Sequence, residues 1–277
     1  MKQLTRSSNT VDISRSLPVF IESQFVGISK DERATQETFN YYQERFLSSD
    51  KAQQFLFARG IKNLELLDQL GIGYCDRSLG KKLRALSKWD EQAFRGSMQR
   101  VGLIKSSGHE VLRGAITVPF YSLDEQIVGA YGRRICPKLR SGTPYHVHWL
   151  TDATTFFNLG ALNHHSEIIL CKNPLDALVW LCHGFSNVIA LMGARNYLNQ
   201  HALIFDSYHI NKVLLAFGGS REALVYSRKI IRLNTNLGIE TKILISPQGL
   251  ATSDYALTLS NPYKGLMQSL SQPYILE

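Results

Sequence analysis

The amino-acid sequence predicts an α/β protein in which a parallel sheet flanked by helices is preceded by a smaller mixed α+β subdomain. Three observations lead there. Over 166–246, short apolar runs alternate with amphipathic stretches, the pattern of strands buried on both faces by crossover helices. Over 75–150, β-like runs are broken by basic turns, and over 35–73 aromatic and aliphatic residues recur at helical spacing.

Residues 1–34 are rich in Ser, Thr, Asn and Gln and hold no sustained period, which predicts a loosely ordered arm with one apolar anchor, Leu17-Pro18-Val19-Phe20-Ile21. From Thr35, Phe39, Tyr42 and Phe46 and then Phe55, Leu56 and Ile61 fall on helix faces. Ser49-Asp50 caps the second helix, and the helical module closes near Gly71-Ile72-Gly73. A basic subdomain continues to 165, with runs at 115–120 and 126–131 joined as a hairpin through Ser122-Leu123-Asp124-Glu125. Strands are expected at 167–171, 187–191, 212–217 and 241–245, with helices over 174–184, near 199–207 and over 221–237. The sheet domain ends near 260, and 261–277 form a C-terminal tail.

The 277 residues, 44% hydrophobic and 10% aromatic, suffice for a core of ordinary size. No apolar run approaches the roughly 18 residues of a membrane span, and the first residues lack a signal-peptide pattern, so a cytoplasmic protein without a membrane partner is expected. Cys75, Cys136, Cys171 and Cys182 form no C-x-x-C pair, which argues against both a zinc site and a disulfide framework. The formal charge is +8. Between Cys75 and Tyr145 stand thirteen lysines and arginines against six acids, a net +7, leaving +1 for the rest of the chain. Charge concentrated in this way marks an anionic partner, nucleic acid first. Trp89, Phe94, Tyr131 and Tyr145 lie within the basic segment as candidate stacking platforms.

Several segments carry a family resemblance. Glu167-Ile168-Ile169-Leu170-Cys171-Lys172-Asn173-Pro174-Leu175-Asp176 resembles the first metal motif of Toprim domains, with Lys172 where that family places a catalytic glutamate and Asp176 as the surviving acid. Gly218 and Ser220 stand at the positions of the family's Asp-x-Asp, and Ala251 and Ser253 at a third acidic turn, one step from Asp254. Around these motifs, Arg59-Gly60-Ile61, Leu70-Gly71-Ile72-Gly73-Tyr74, Gly108-His109-Glu110 and Arg113-Gly114-Ala115-Ile116-Thr117-Val118-Pro119-Phe120 are similar to the catalytic core of bacterial primases. So are Tyr131-Gly132-Arg133-Arg134 and His146-Val147-His148-Trp149-Leu150 leading to Phe157-Asn158. Over 38–260 the chain thus resembles primase-like Toprim proteins of bacterial mobile elements. The resemblance implies a Toprim-like parallel sheet behind a primase-type subdomain, and in the family a zinc ribbon ahead of the core, for which these cysteines offer no ligand pairs.

The resemblance also implies that Lys172, Asp176, Gly218 and Ser220 are vestigial catalytic positions. One carboxylate is a poor seat for Mg²⁺, so no catalytic residue, metal or cofactor is expected. Restoring Lys172→Glu, Gly218→Asp and Ser220→Asp together is expected to create metal affinity. Lys172 either pairs with Asp176 or points to solvent while Asp176 caps the helix opened by Pro174. Gly218-Gly219-Ser220 reads as a drifted metal turn rather than a phosphate loop. His146, His148, His164 and His165 crowd one stretch without a convergent third ligand. Nucleic acid, DNA or RNA in single-stranded or forked form, is expected to contact Lys81, Lys82, Arg84, Arg133, Arg134, Lys138, Arg140, His146 and His148. The expected function is that of an inactive primase-like recognition or assembly factor for a mobile element, phage or defence system. Two rivals stand beside it: an active metal-dependent primase or nuclease using Asp176, Glu222 and Asp254, and a scaffold docking a helicase, recombinase or nuclease.

Overall fold

Alternate residues of the parallel strands go to opposite faces, as period-two burial requires, and so the sheet separates two apolar layers. The structure, a computed structural model, describes residues 29–150, 152–246, 249–271 and 273–274; most of the expected N-terminal arm, including the anchor at 17–21, lies outside the described residues. Strands β5 (Glu167–Cys171), β6 (Val188–Ala190), β7 (Lys212–Leu215) and β8 (Glu240–Ile243) form an all-parallel sheet in the order β6-β5-β7-β8. Ile168, Leu170, Ile189, Val213 and Leu215 pack with helices α7 (Asn199–Ser207) and α8 (Arg221–Thr235). Ile169, Cys171, Val188, Ala190 and Leu214 face the other layer, with α6 (Pro174–Cys182), α9 (Thr252–Leu257) and α10 (Pro262–Ser271).

That second layer continues without a break into the preceding subdomain. There β1 (Gly73–Tyr74), β2 (Ala115–Tyr121), β3 (Ile127–Arg134) and β4 (His146–Leu150) make an antiparallel sheet in sequence order. Ile116, Val118, Phe120 and Tyr131 share one cluster with Ile169, Trp180 and Leu214. Phe46, Leu56, Ile61 and Leu67, from α1 (Lys30–Leu47), α2 (Asp50–Phe57), α3 (Leu64–Gln69) and their links, complete it. The opposite face of the antiparallel sheet is closed by a third cluster, in which Phe39 and Tyr42 meet Leu79 and Leu83 of α4 (Leu79–Leu83) and Met98 of α5 (Lys88–Arg100).

The expected α/β class and the strand–helix alternation are present, with three local corrections. Helix α1 begins at Lys30 rather than Thr35, because Ser29 Oγ accepts from Glu32 N–H at 3.1 Å while the Glu32 carboxylate accepts from Ser29 N–H at 2.7 Å. The stretch over 75–110, read as β-like, is mainly α4 and α5; Ser87 caps α5 by accepting from Asp90 N–H. The C-terminal tail expected over 261–277 is packed onto the sheet domain where described. Leu266 of α10 is fully buried and Tyr274 exchanges two backbone hydrogen bonds with Ile243.

Close approach of α1 to β1 depends on Gly73. A Cβ there would lie 2.7 Å from Tyr42 Cβ and 2.9 Å from the Tyr42 carbonyl carbon. Gly73→Ala is therefore expected to cost about 1–3 kcal/mol of overpacking strain, read as a lowered urea midpoint. An unchanged midpoint would show that α1 docks less tightly than these distances state.

Candidate nucleic-acid interface

The carboxyl end of the parallel sheet is where an open α/β fold presents its site. Strand β5 ends at Cys171, and Lys172 and Asn173 form the lip before α6. Asn173, not Asp176, is the helix cap: its Oδ1 accepts from Asp176 N–H at 3.1 Å, and its Nδ2 donates to Asp176 Oδ2 at 2.7 Å. Ser253 Oγ donates to Asp176 Oδ1 at 3.1 Å, and Lys172 Nζ stands 3.9 Å from Oδ2, a loose ion pair. Asp176 is only 9% exposed, and burial pushes its carboxyl up to about 6 against the pull of Lys172.

The other positions at this edge that the resemblance singled out have structural duties. Gly218 sits at φ +84°, and a Cβ on it would fall 2.7 Å from both Leu250 O and Ala251 N, so backbone fills the space a longer side chain would need. Ser220 caps α8, accepting from Ala223 N–H at 3.2 Å. Ala251 is buried, Ser253 is committed to Asp176, and Asp254 is exposed. A carboxylate-held divalent cation, which the resemblance implies for this edge, does not fit these residues. Both oxygens of the one buried carboxylate are already engaged, with an ammonium beside them, and a hard cation needs several oxygen donors. Among the described residues, no three His, Cys, Asp or Glu side chains gather as a metal-holding group, so Asp176, Glu222 and Asp254 are not brought together.

Facing this lip is the β3–β4 edge of the antiparallel sheet. A cleft of about 380 Å³ between the two sheets is lined by Arg59, Arg133, His146, Lys172, Asp176 and Asp254 among others. A neighbouring cleft of about 500 Å³ shares Tyr131, His146, Lys172 and Asn173 and adds His148, Arg195 and Glu222. Among the described residues Arg133 has no carboxylate within ion-pair distance; it lies over the Tyr145 ring at 4.7 Å and 3.1 Å from His146 Nε2. Tyr131, expected as a stacking platform, is instead 1% exposed, with its hydroxyl 2.6 Å from His146 Nδ1. Burial is the first cause lowering the pKa of His146 and His148, with Arg133 adding to it at the former and Arg195 at the latter. His165 bonds Ser186 before the start of β5, and His164 lines neither cleft.

The remaining basic residues gather elsewhere. Arg134, next to Arg133 on β3, points to the opposite face, as alternation demands. It lines a third cleft of about 490 Å³ with Arg77, Lys105, Arg113, Lys138 and Arg140. A fourth, of about 430 Å³, shares Arg77 and Arg113 and adds Arg84 and Arg95. The one carboxylate lining both, Glu110, is turned to internal partners, accepting from Tyr42 Oη at 2.7 Å and Cys75 Sγ at 3.2 Å. Lys81 and Lys82 on α4 line none of these clefts, and Lys82 Nζ sits 4.5 Å from the Tyr41 ring centroid. Trp89, 84% exposed at the start of α5, is an accessible ring close in sequence to them. Of the nine residues expected at a nucleic-acid contact, Arg133, His146 and His148 line the inter-sheet clefts, Arg84, Arg134, Lys138 and Arg140 line the outer ones, and Lys81 and Lys82 line neither. Sequence reasoning did not single out Arg59 and Arg195 for the clefts they line; each lies within two residues of a glycine of positive φ, Gly60 (φ +72°) and Gly193 (φ +105°).

No family model matches the chain. It is 29% identical over 143 residues to a DNA primase of Campylobacter jejuni, an alignment covering 48% of this chain and 23% of that protein, so the match spans about a quarter of the relative's length. The Aquifex aeolicus primase structure, with zinc-binding and RNA polymerase domains, superposes with a TM-score of 0.76 at 18% identity, covering 90% of this chain and 63% of that one, just under two thirds. The RNA polymerase domain of Mycobacterium tuberculosis primase, in complex with a double-stranded DNA oligomer with a 6-nucleotide overhang, gives 0.71 at 15% identity, covering 89% and 81%. The fold is that of the primase catalytic core. Among the described residues no helix is long and apolar enough to cross a membrane.

The buried carboxyl makes a testable statement about pH. Asp176 rises from its ordinary 3.8 to about 6 on folding. Between those values the folded state holds the extra proton, so this contribution to stability is full below the lower value and is lost as pH rises through the upper one. Urea unfolding at several pH values should show a loss on the order of 3 kcal/mol across that window, absent from Asp176→Asn. Equal pH dependence in both proteins would contradict the burial assignment.

Proposed function

We propose that this chain is a catalytically inactive protein of primase-core fold that binds nucleic acid, serving a mobile element, phage or defence system as a recognition or assembly factor. The observation that carries the reading is the state of the sheet edge. Its one buried carboxylate is spent on Asn173, Ser253 and Lys172, while backbone fills the place where Gly218 would need a longer side chain. Phosphoryl transfer in such a site depends on cations that neutralise crowded phosphate oxygens, and among the described residues no group of carboxylates, histidines or cysteines gathers to hold them. What remains is positive charge displayed on two faces. The sequence resemblance to primase-like proteins of mobile elements supports the host assignment, and the M. tuberculosis primase domain in complex with overhanging DNA supports nucleic acid as the partner.

Two predictions test this. Single-stranded or forked DNA should bind with little sequence preference. Changing Arg134, Lys138 and Arg140 together to Ala should weaken binding about ten-fold or more at low salt. If about four phosphates are neutralised, affinity should drop about fifty-fold between roughly 50 and 200 mM salt. Titration by fluorescence anisotropy showing salt-independent binding, or an unaffected triple variant, would remove the nucleic-acid reading and favour a protein scaffold.

The second prediction concerns metal. The native chain should bind no Mn²⁺ beside Asp176, by calorimetry or paramagnetic relaxation. Lys172→Glu with Ser220→Asp should bind it measurably, since Asp can keep the cap of α8. Adding Gly218→Asp, expected from sequence to complete the site, should instead cost folding, because that side chain meets the Leu250–Ala251 backbone. Mn²⁺ bound by the native chain would restore the active-enzyme reading.

A further inference from the structure

The corner between α4 and α5 leaves a large aromatic ring and four cations in water. Leu79 and Leu83, one helical turn apart, anchor α4 to the core and leave Lys81, Lys82 and Arg84 exposed. The chain then turns through Ala85 and Leu86, whose N–H groups donate to Lys82 O at 3.1 Å and Leu83 O at 3.0 Å. Helix α5 is held by its second half, where Ser97 and Met98 are buried, and none of residues 84–93 is buried. Trp89 stands in the first turn of the free half, 84% exposed, with Leu86 exposed before it. The other two tryptophans, Trp149 and Trp180, are buried.

An indole brings one of the largest apolar surfaces of any side chain and is on average well covered. The surrounding charge indicates what covers this one. No acid stands between Asp76 and Asp90. Lys81, Lys82, Arg84 and Lys88 have no ion pair among the described residues. The two acids that follow are engaged: Asp90 accepts from Ser87 Oγ at 2.6 Å, and Glu91 pairs with Arg95 at 2.8 Å. Ser87 also caps α5, accepting from Asp90 N–H at 3.1 Å, so the ring is presented on a rigid element.

A flat π-face among unpaired cations complements a ligand in which flat rings alternate with negative charges, and that is a nucleic-acid strand. Arg84 joins the corner to the outer basic surface. It lines the cleft of about 430 Å³ with Arg77 and Arg113, which in turn line the cleft of Lys138 and Arg140. Inside a duplex each base is covered on both faces by its neighbours, whereas an unpaired base is free to lie on an indole.

We propose that the α4–α5 corner is the element that selects single strands, with Trp89 stacking on an unpaired base while Lys81, Lys82, Arg84 and Lys88 hold the phosphates around it. This rests on the nucleic-acid reading and adds to it a preference for open bases that charge alone does not give. An anionic membrane surface also attracts cations and an indole, but Leu86 and Trp89 offer little apolar area to insert. The strand is the better match.

The test uses the full chain at low salt and two 12-mers of equal charge, oligothymidine and the same backbone with abasic sites. Fluorescence anisotropy should show the base-bearing strand bound about ten-fold more tightly. Trp89→Ala should remove that preference and leave affinity for the abasic strand unchanged, and Trp89→Phe should keep part of it. Because the other tryptophans are buried, oligothymidine should quench the emission of the native chain and leave that of Trp89→Ala unaltered. Circular dichroism checks that both variants fold. Equal affinity of the native chain for the two strands, or a preference that persists in Trp89→Ala, would overturn the inference. If both strands then still bound through Arg134, Lys138 and Arg140, the nucleic-acid reading would survive that loss. Binding of neither strand would sink both. Vesicles of phosphatidylserine and phosphatidylcholine that shift Trp89 emission to the blue, where oligothymidine has no effect, would overturn the inference and give the corner to a membrane surface.

Discussion

Everything at the sheet edge depends on one apolar layer shared by both sheets. Tyr131 and Phe120 of the antiparallel sheet and Ile169 and Trp180 of the parallel domain belong to one cluster, so the two halves cannot slide without exposing large side chains to water. Burial of each such side chain is worth about 1.5–3 kcal/mol, and this fixes the β3–β4 edge opposite the end of β5. Arg133, two residues after the buried Tyr131 on the same face of β3, is thereby carried to the cleft with Lys172 across from it. The cleft is a consequence of packing before it is a matter of charge.

Charge then follows the geometry of strands. Because successive residues of β3 alternate, Arg133 joins the inter-sheet cleft while Arg134 joins the outer one with Lys138 and Arg140. Two positive surfaces result from one Arg-Arg pair. The acids do not cancel them: Glu110 is held by Tyr42 and Cys75, and Asp176 by Asn173 and Ser253. In both places a carboxylate accepts hydrogen bonds from neutral protein partners, and Asp176 has Lys172 beside it as a loose ion partner at 3.9 Å. A chain that displayed the same net charge evenly would present neither surface.

Much of this was legible in the sequence, for identifiable reasons. The parallel domain announced itself because its strands are apolar on both faces and its helices amphipathic; the helix expected near 199–207 is α7 at Asn199–Ser207. The basic segment was countable. Its division into two faces was not, since that needs the pairing register that sets Arg133 against His146. Helices α4 and α5 were missed because their few buried positions, Leu79, Leu83 and Met98, are scattered among basic residues, although the Ser87 cap was in view. Arg59 and Arg195 lie beside glycines of positive φ, Gly60 and Gly193, where a linear pattern does not state the chain's direction.

Gly218 shows why a missing carboxylate is more than a single substitution. In the sequence it is a glycine where the resembling family has an acid, which invites the thought that one codon would reverse it. In the fold its left-handed conformation and the Leu250–Ala251 backbone against it are one feature: Gly219 N–H donates to Gly249 O at 2.9 Å, drawing the two turns together. Ser253, a few residues further along, reaches Asp176 from the same segment. The residues that would have to part to admit a metal are those that satisfy the last buried carboxylate, and Lys172 adds a fixed positive charge beside it. The fit of Gly218 against this backbone and the burial of Asp176 are therefore parts of one packing arrangement, and changing one disturbs the other.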